Sequence, residues 1–137
     1  MKKCICIVLI IICLPVVAFS EQIIHYDLSE MNQVMAYSML FQMTMNPDFF
    51  LETTIKISGR FFRDYSDFSS RYFNYVMITD ETGCCQNGLE FLISGKENTA
   101  ENYPVQDAEI SVVGEFKLLE VDGYTYPYLD VNEVMLL

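Results

Sequence analysis

Thr54-Ile-Lys-Ile-Ser-Gly-Arg-Phe61 and Glu109-Ile-Ser-Val-Val-Gly-Glu-Phe116 follow one pattern, Ile-x-(Ile/Val)-x-Gly-x-Phe. Alternation places Ile55, Ile57, Gly59 and Phe61 on one face of the first segment. It places Ile110, Val112, Gly114 and Phe116 on one face of the second. A period of two is the signature of a strand with one buried side. A glycine in mid-strand marks a bulge or a sharp bend, so both strands are expected to curl. Three further segments alternate in the same way: Tyr72–Thr79, Leu89–Ser94, and Tyr124–Val131 after a turn at Val121-Asp122-Gly123. The polar stretch Gly95–Gln106, with Tyr103-Pro104, reads as a loop. Five strands with a long connection between the third and fourth predict a mainly β chain. The expected fold is a five-stranded OB-like barrel over about residues 53–132, with an SH3-like barrel as the nearest rival.

Upstream of the first strand, residues 29–45 read as one N-terminal α-helix. Ser29 is a candidate cap, and Met31, Val34, Met35, Ser38, Met39, Gln42 and Met43 recur at helical spacing. Asn46-Pro47 ends it, because the residue before a proline is pushed out of the helical region. The methionine stripe is the surface such a helix lays on a sheet, with the flexible thioethers filling gaps.

Residues 1–20 have the form of a signal peptide. Met1-Lys2-Lys3 is a positive start, Cys4–Val17 is apolar, and Ala18-Phe19-Ser20 places small residues where signal peptidase needs them. The apolar run falls short of the roughly 20 residues that a span requires, so cleavage is favoured over an uncleaved N-terminal anchor. Ile12 before Cys13 argues against a lipoprotein signal, which wants a small residue there. The expectation is an exported protein (periplasmic, cell-surface or secreted), residues 21–137 forming one domain without a transmembrane span.

Removing residues 1–20 takes Lys2 and Lys3 and no acid. Six basic and nineteen acidic residues remain, a formal charge of −13. Nucleic-acid binders draw most of their affinity from neutralising phosphates, so this balance argues against that class. It also disfavours anionic lipid, and it suits cations and basic proteins.

Three of the five cysteines, Cys4, Cys6 and Cys13, lie in the removable segment. Cys84 and Cys85 are then the only ones left, adjacent to one another in the turn-rich stretch Asp80-Glu-Thr-Gly-Cys-Cys-Gln-Asn-Gly-Leu-Glu-Phe91.

The chain resembles a group of small exported bacterial OB-like proteins of uncharacterised function. The shared features are Asn46-Pro47-Asp48 after the helix, the glycine-bearing strand Thr54–Phe62, and a Cys-Cys-x-x-Gly-Leu-Glu-Phe segment, here Cys84–Phe91. Tyr103-Pro104 then precedes the second glycine-bearing strand, Ile110–Phe116. The resemblance covers most of residues 30–132, and the double cysteine is its specific part. It implies an OB-like fold and an envelope location, and it carries no activity.

Three roles for the cysteine pair remain open from the residues. One is a vicinal disulfide, strained because adjacent Cα atoms lie about 3.8 Å apart while bridges prefer roughly 4.4–6.8 Å. Strain of that kind makes a bridge easy to reduce. The second is a pair of thiolates for a soft metal ion such as zinc or copper(I), completed by Asp80, Glu81 or Glu90. The third is a structural loop with one cysteine packed inward. Thioredoxin-type chemistry is not indicated, since that needs Cys-x-x-Cys at a helix start.

No catalytic set stands out. The single histidine, His25, sits near the expected mature N-terminus, where chain ends are commonly mobile. Aromatics crowd the first hairpin at Phe62, Tyr65, Phe68, Tyr72, Phe73 and Tyr75, with Arg60, Arg63 and Arg71 interleaved. Tyr124, Tyr126 and Tyr128 share one face of the last strand, a candidate binding face for a peptide, an envelope polymer or another envelope protein. The expected function is a non-enzymatic binding or accessory protein whose Cys84/Cys85 loop is metal-linked or redox-sensitive.

Overall fold

In the computed structural model, which describes residues 22–137, one α-helix lies between the first and second strands of a six-stranded sheet. The expected signal peptide lies outside the described residues. The elements in chain order are β1 (Tyr26–Asp27), α1 (Gln33–Met45), β2 (Thr54–Ser66), β3 (Arg71–Thr79), β4 (Gln86–Ile93), β5 (Glu109–Val121) and β6 (Tyr124–Leu136). Short 3-10 turns lie at Leu28–Glu30, Pro47–Phe50 and Ala100–Asn102. No helix among the described residues is long and apolar enough to cross a membrane.

The five expected strands are all present, and each is longer than its alternation showed. A sixth, β1, was not expected. It is two residues long, too short to display a period, and pairs in parallel with Ile55 and Lys56. The upper half of β2 pairs antiparallel with β3 and its lower half antiparallel with β5. β3 pairs antiparallel with β4, β4 pairs parallel with β6, and β6 pairs antiparallel with β5. The pairing therefore runs β2, β3, β4, β6, β5 and returns to β2.

The two glycine-bearing strands face the core as their alternation implied. Ile55, Ile57, Phe61, Ile110, Val112 and Phe116 are buried, joined by Leu89, Phe91, Leu129 and Val131 from β4 and β6. Gly114 adjoins a register shift against β6 between Val112 and Gly114. A Cβ there would stand 2.6 Å from a Val131 methyl and 2.7 Å from the Asp130 carbonyl oxygen. At Gly59 a Cβ would stand 2.3 Å from the Met77 carbonyl oxygen. Both glycines thus permit a backbone approach that a side chain would block.

The helix is shorter and turned differently from its expected form. Residues 28–30 form a separate turn in which the Asp27 carboxylate accepts from the Ser29 amide. Asn32, not Ser29, caps α1 by accepting from the Met35 amide at 2.9 Å. The buried stripe is Ala36, Leu40 and Met43, while Val34 and Met35 are exposed. A helix apolar on nearly every face has no hydrophobic direction to read, and packing over β3 and β4 chose the side. Asn46-Pro47 ends it as expected, with Pro47 opening the next turn.

The expected loop between β4 and β5 is present, but it is anchored. Tyr103 dips into the core against Phe61 and Phe91, and its hydroxyl accepts from the Ile93 amide. His25 is exposed yet not frayed. Its Nδ1 accepts from the Thr54 amide at 3.0 Å, and its own amide donates to the Thr54 carbonyl.

Candidate functional site

Asp80–Cys85 forms the turn between β3 and β4. The Asp80 amide donates to the Cys85 carbonyl at 2.9 Å, and the Gly83 amide donates to the Asp80 carbonyl at 3.0 Å. Gly83 takes a positive φ of 73°, a conformation glycine adopts without steric cost. Inside the turn, the Asp80 carboxylate accepts from the Cys84 amide at 3.0 Å, the Cys85 amide at 3.3 Å and the Thr82 hydroxyl at 2.9 Å. An aspartate that gathers the amides following it is a common way to hold a turn. Here it also draws two thiols onto its own carboxylate.

Cys84 and Cys85 are free and exposed, and their Sγ atoms lie 3.5 Å apart. Cys84 Sγ is also 3.5 Å from Asp80 Oδ2. One carboxylate oxygen and the two sulfurs all lie within 4.8 Å of one another. Successive side chains tend to diverge, and this turn overrides that tendency. Of the acids expected to assist, only Asp80 does so. Glu81 is exposed outside the cluster, and Glu90 is buried against Arg71.

Desolvation raises the Asp80 pKa. The Cys85 amide, the Thr82 hydroxyl, and the Cys84 thiol and amide outweigh it and hold the carboxyl below its usual range. The Cys85 thiol is pushed up, first by its hydrogen bond to Cys84, then by the charges of Cys84 and Asp80. Neutral thiol is therefore favoured beside the carboxylate, and ordinary alkylating agents react with the thiolate. Alkylation of Cys85, followed by peptide mass spectrometry, should rise with pH around a midpoint above the ordinary cysteine value of about 8.5. Asp80→Asn should bring that midpoint down, and an unchanged midpoint would contradict the electrostatic coupling.

A long-range contact fixes the base of this turn. Gln33, in the first turn of α1, donates from Nε2 to the Thr79 carbonyl at 3.2 Å, its hydroxyl at 3.1 Å and the Asp80 carbonyl at 2.7 Å. No local pattern signals Gln33, since it lies 46 residues from Thr79. Thr82 was likewise unmarked, although it follows Asp80 by the two residues that such a turn requires. Beside the contact, a groove of about 480 Å³ runs between the start of α1, β2 and β3, past Gln33, Gly59, Phe62, Met77 and Gln86.

The tyrosines of β6 lie on the outward face, and the fold treats them differently. Tyr124 is exposed and meets Phe68 edge to face. Tyr126 packs edge to face on Phe73, which stacks on Tyr75. Tyr128 is half-buried beside Arg71, Lys96 and Asp130 in a groove of about 490 Å³. The arginines of the first hairpin do not form one basic patch. Arg63 donates to Asn74 and to the Asn98 carbonyl, and Arg71 forms an ion pair with Glu90 beneath the aromatic row.

No protein-family model matches this chain, and no curated protein matches it in sequence.

Proposed function

We propose that this chain is an exported OB-like β-barrel protein that binds a soft metal ion at Asp80, Cys84 and Cys85. The OB-like reading draws support from the returning order β2-β3-β4-β6-β5-β2 and from β4–β6 being its one parallel pairing. Export rests on the sequence of residues 1–20.

The metal reading is carried by one observation, the spacing of the three donor atoms. With Zn–S bonds of roughly 2.3 Å, two sulfurs on a tetrahedral zinc stand roughly 3.7 Å apart, and a carboxylate oxygen stands at a similar distance from each. The Sγ atoms are 3.5 Å apart and the Cys84 Sγ–Asp80 Oδ2 distance is 3.5 Å, so two of the three spacings already match, and the third lies within 4.8 Å. Two thiolates and a carboxylate suit zinc, and the thiolates alone suit copper(I). Three protein ligands on an exposed turn leave a fourth position open to water or an outside ligand.

The test is native mass spectrometry of the protein purified without reductant, before and after one equivalent of Zn²⁺. One metal per chain is expected, none in Cys84→Ser/Cys85→Ser, and affinity weakened at least about tenfold in Asp80→Asn. Affinity should rise with pH, because both thiols must lose protons to bind. A bare chain lighter by two hydrogens would replace the metal with a vicinal disulfide. A bare, reduced chain that ignores zinc would remove both.

A further inference from the structure

The aromatic row on the outward face ends at two turns that no strand pairing joins, β2–β3 with Phe68 and β5–β6 just before Tyr124. The two rings meet across that gap with centroids 5.5 Å apart. Phe68 is nevertheless 71% exposed and Tyr124 55%. Large rings grouped in water at the tips of tight turns mark a contact surface more than a core. Asp67 is next to Phe68 in the β2–β3 turn, Asp122 lies two residues before Tyr124 in the β5–β6 turn, and Asp64 pairs across from Phe73 of the aromatic row. All three are exposed, and none forms an ion pair among the described residues. Arg63 and Arg71 of the same hairpin are engaged elsewhere, Arg63 with Asn74 and Asn98, Arg71 with Glu90. Two rings of the same hairpin already carry guanidinium groups. Arg63 Cζ sits 4.3 Å from the Tyr72 ring centre, and Arg71 Cζ sits 3.9 Å from that of Phe73.

We propose that Phe68 and Tyr124, together with Asp64, Asp67 and Asp122, form a docking surface for an arginine- or lysine-rich segment of a partner protein. The ring faces attract a cation through their quadrupoles. The unpaired carboxylates supply the opposite charge, and the acidic chain as a whole steers a basic partner inward. A polyanion meets the reverse field. A neutral glycan would use the rings but draw nothing from the carboxylates, so its binding would ignore salt. The surface and the cysteine turn sit at opposite ends of the nine-residue strand β3, roughly 30 Å apart at strand rise. The proposal therefore stands apart from the metal reading.

The experiment is a fluorescence-anisotropy titration of the full chain with a short labelled peptide of alternating arginine and serine, at several salt concentrations. Phe68→Ala and Tyr124→Ala, which leave the charge unchanged, should each weaken binding about tenfold. Phe68→Leu and Tyr124→Leu should do the same while keeping apolar bulk, and thermal melts should match the parent because both rings are exposed. Asp64→Asn/Asp67→Asn/Asp122→Asn should weaken binding and flatten its salt dependence. Neutralising Glu30, Asp48 and Glu133, which are exposed elsewhere, should do so far less. Cys84→Ser/Cys85→Ser should bind as the parent does. No binding of the peptide overturns the proposal. So do ring variants that bind normally while any charge removal weakens binding, which would mean diffuse attraction. Salt-independent, ring-dependent binding of a neutral oligosaccharide without the peptide overturns it in favour of a glycan surface.

Discussion

Arg71→Ala is expected to destabilise the protein by about 3–5 kcal/mol, as does removing one partner of a buried ion pair. The Glu90 side chain is 2% exposed and that of Arg71 18%, so the carboxylate left behind has little water to turn to. The pair is itself incompletely satisfied, since Arg71 Nε and Glu90 Oε2 are buried without hydrogen-bond partners among the described residues. Replacing both members with apolar residues of similar volume is often neutral or stabilising. Arg71→Met/Glu90→Leu should therefore recover most of the loss. Urea denaturation of the parent, the single and the double variant measures both effects. A single variant within about 1 kcal/mol of the parent, the range of exposed ion pairs, would show that Glu90 reaches solvent and that the pair is not a buried one.

The second large effect is expected at Phe91, which is fully buried between Phe61, at 5.9 Å between ring centres, and Tyr103, at 5.8 Å. Phe91→Ala removes a ring and leaves a cavity, at a cost of about 3–5 kcal/mol. That is a large share of the roughly 5–15 kcal/mol that holds a small domain folded. Tyr103 should loosen with it, because the Phe91 ring is part of what keeps the β4–β5 loop inserted. Amide exchange should accordingly speed up at Ile93, whose N–H donates to the Tyr103 hydroxyl. If the cost is small and Ile93 stays protected, the loop is held by other contacts.

Period-two patterning is a local property, and it was legible in the sequence. It located five strands, chose the inward faces of β2 and β5 and flagged their glycines, because a strand with one buried side alternates whatever its neighbours are. It could not reveal β1, whose two residues contain no repeat. Helical spacing caught Met43 but missed Ala36 and Leu40 on the buried side of α1. That helix is apolar around most of its circumference, so the sheet beneath it, not its own spacing, selected Ala36, Leu40 and Met43.

The candidate site divides along the same line. Cys84 and Cys85 stood out by adjacency, and Asp80 was within sight of them. Choosing Asp80 over Glu81 and Glu90 required the turn, in which one carboxylate gathers the amides and brings both sulfurs within reach. Gln33 acts on that turn from the far side of the chain, and Glu90 was withdrawn by Arg71.

By itself the sequence determined a mainly β chain with one helix and an adjacent cysteine pair, because alternation and neighbouring residues are written along the backbone. Only the tertiary structure decided which acid meets the thiols, which arginine is buried and which rings remain in water. The first depends on how one turn folds back on its own aspartate, and the other two on strand pairing between residues far apart in the chain, where each side chain's surroundings come from other segments.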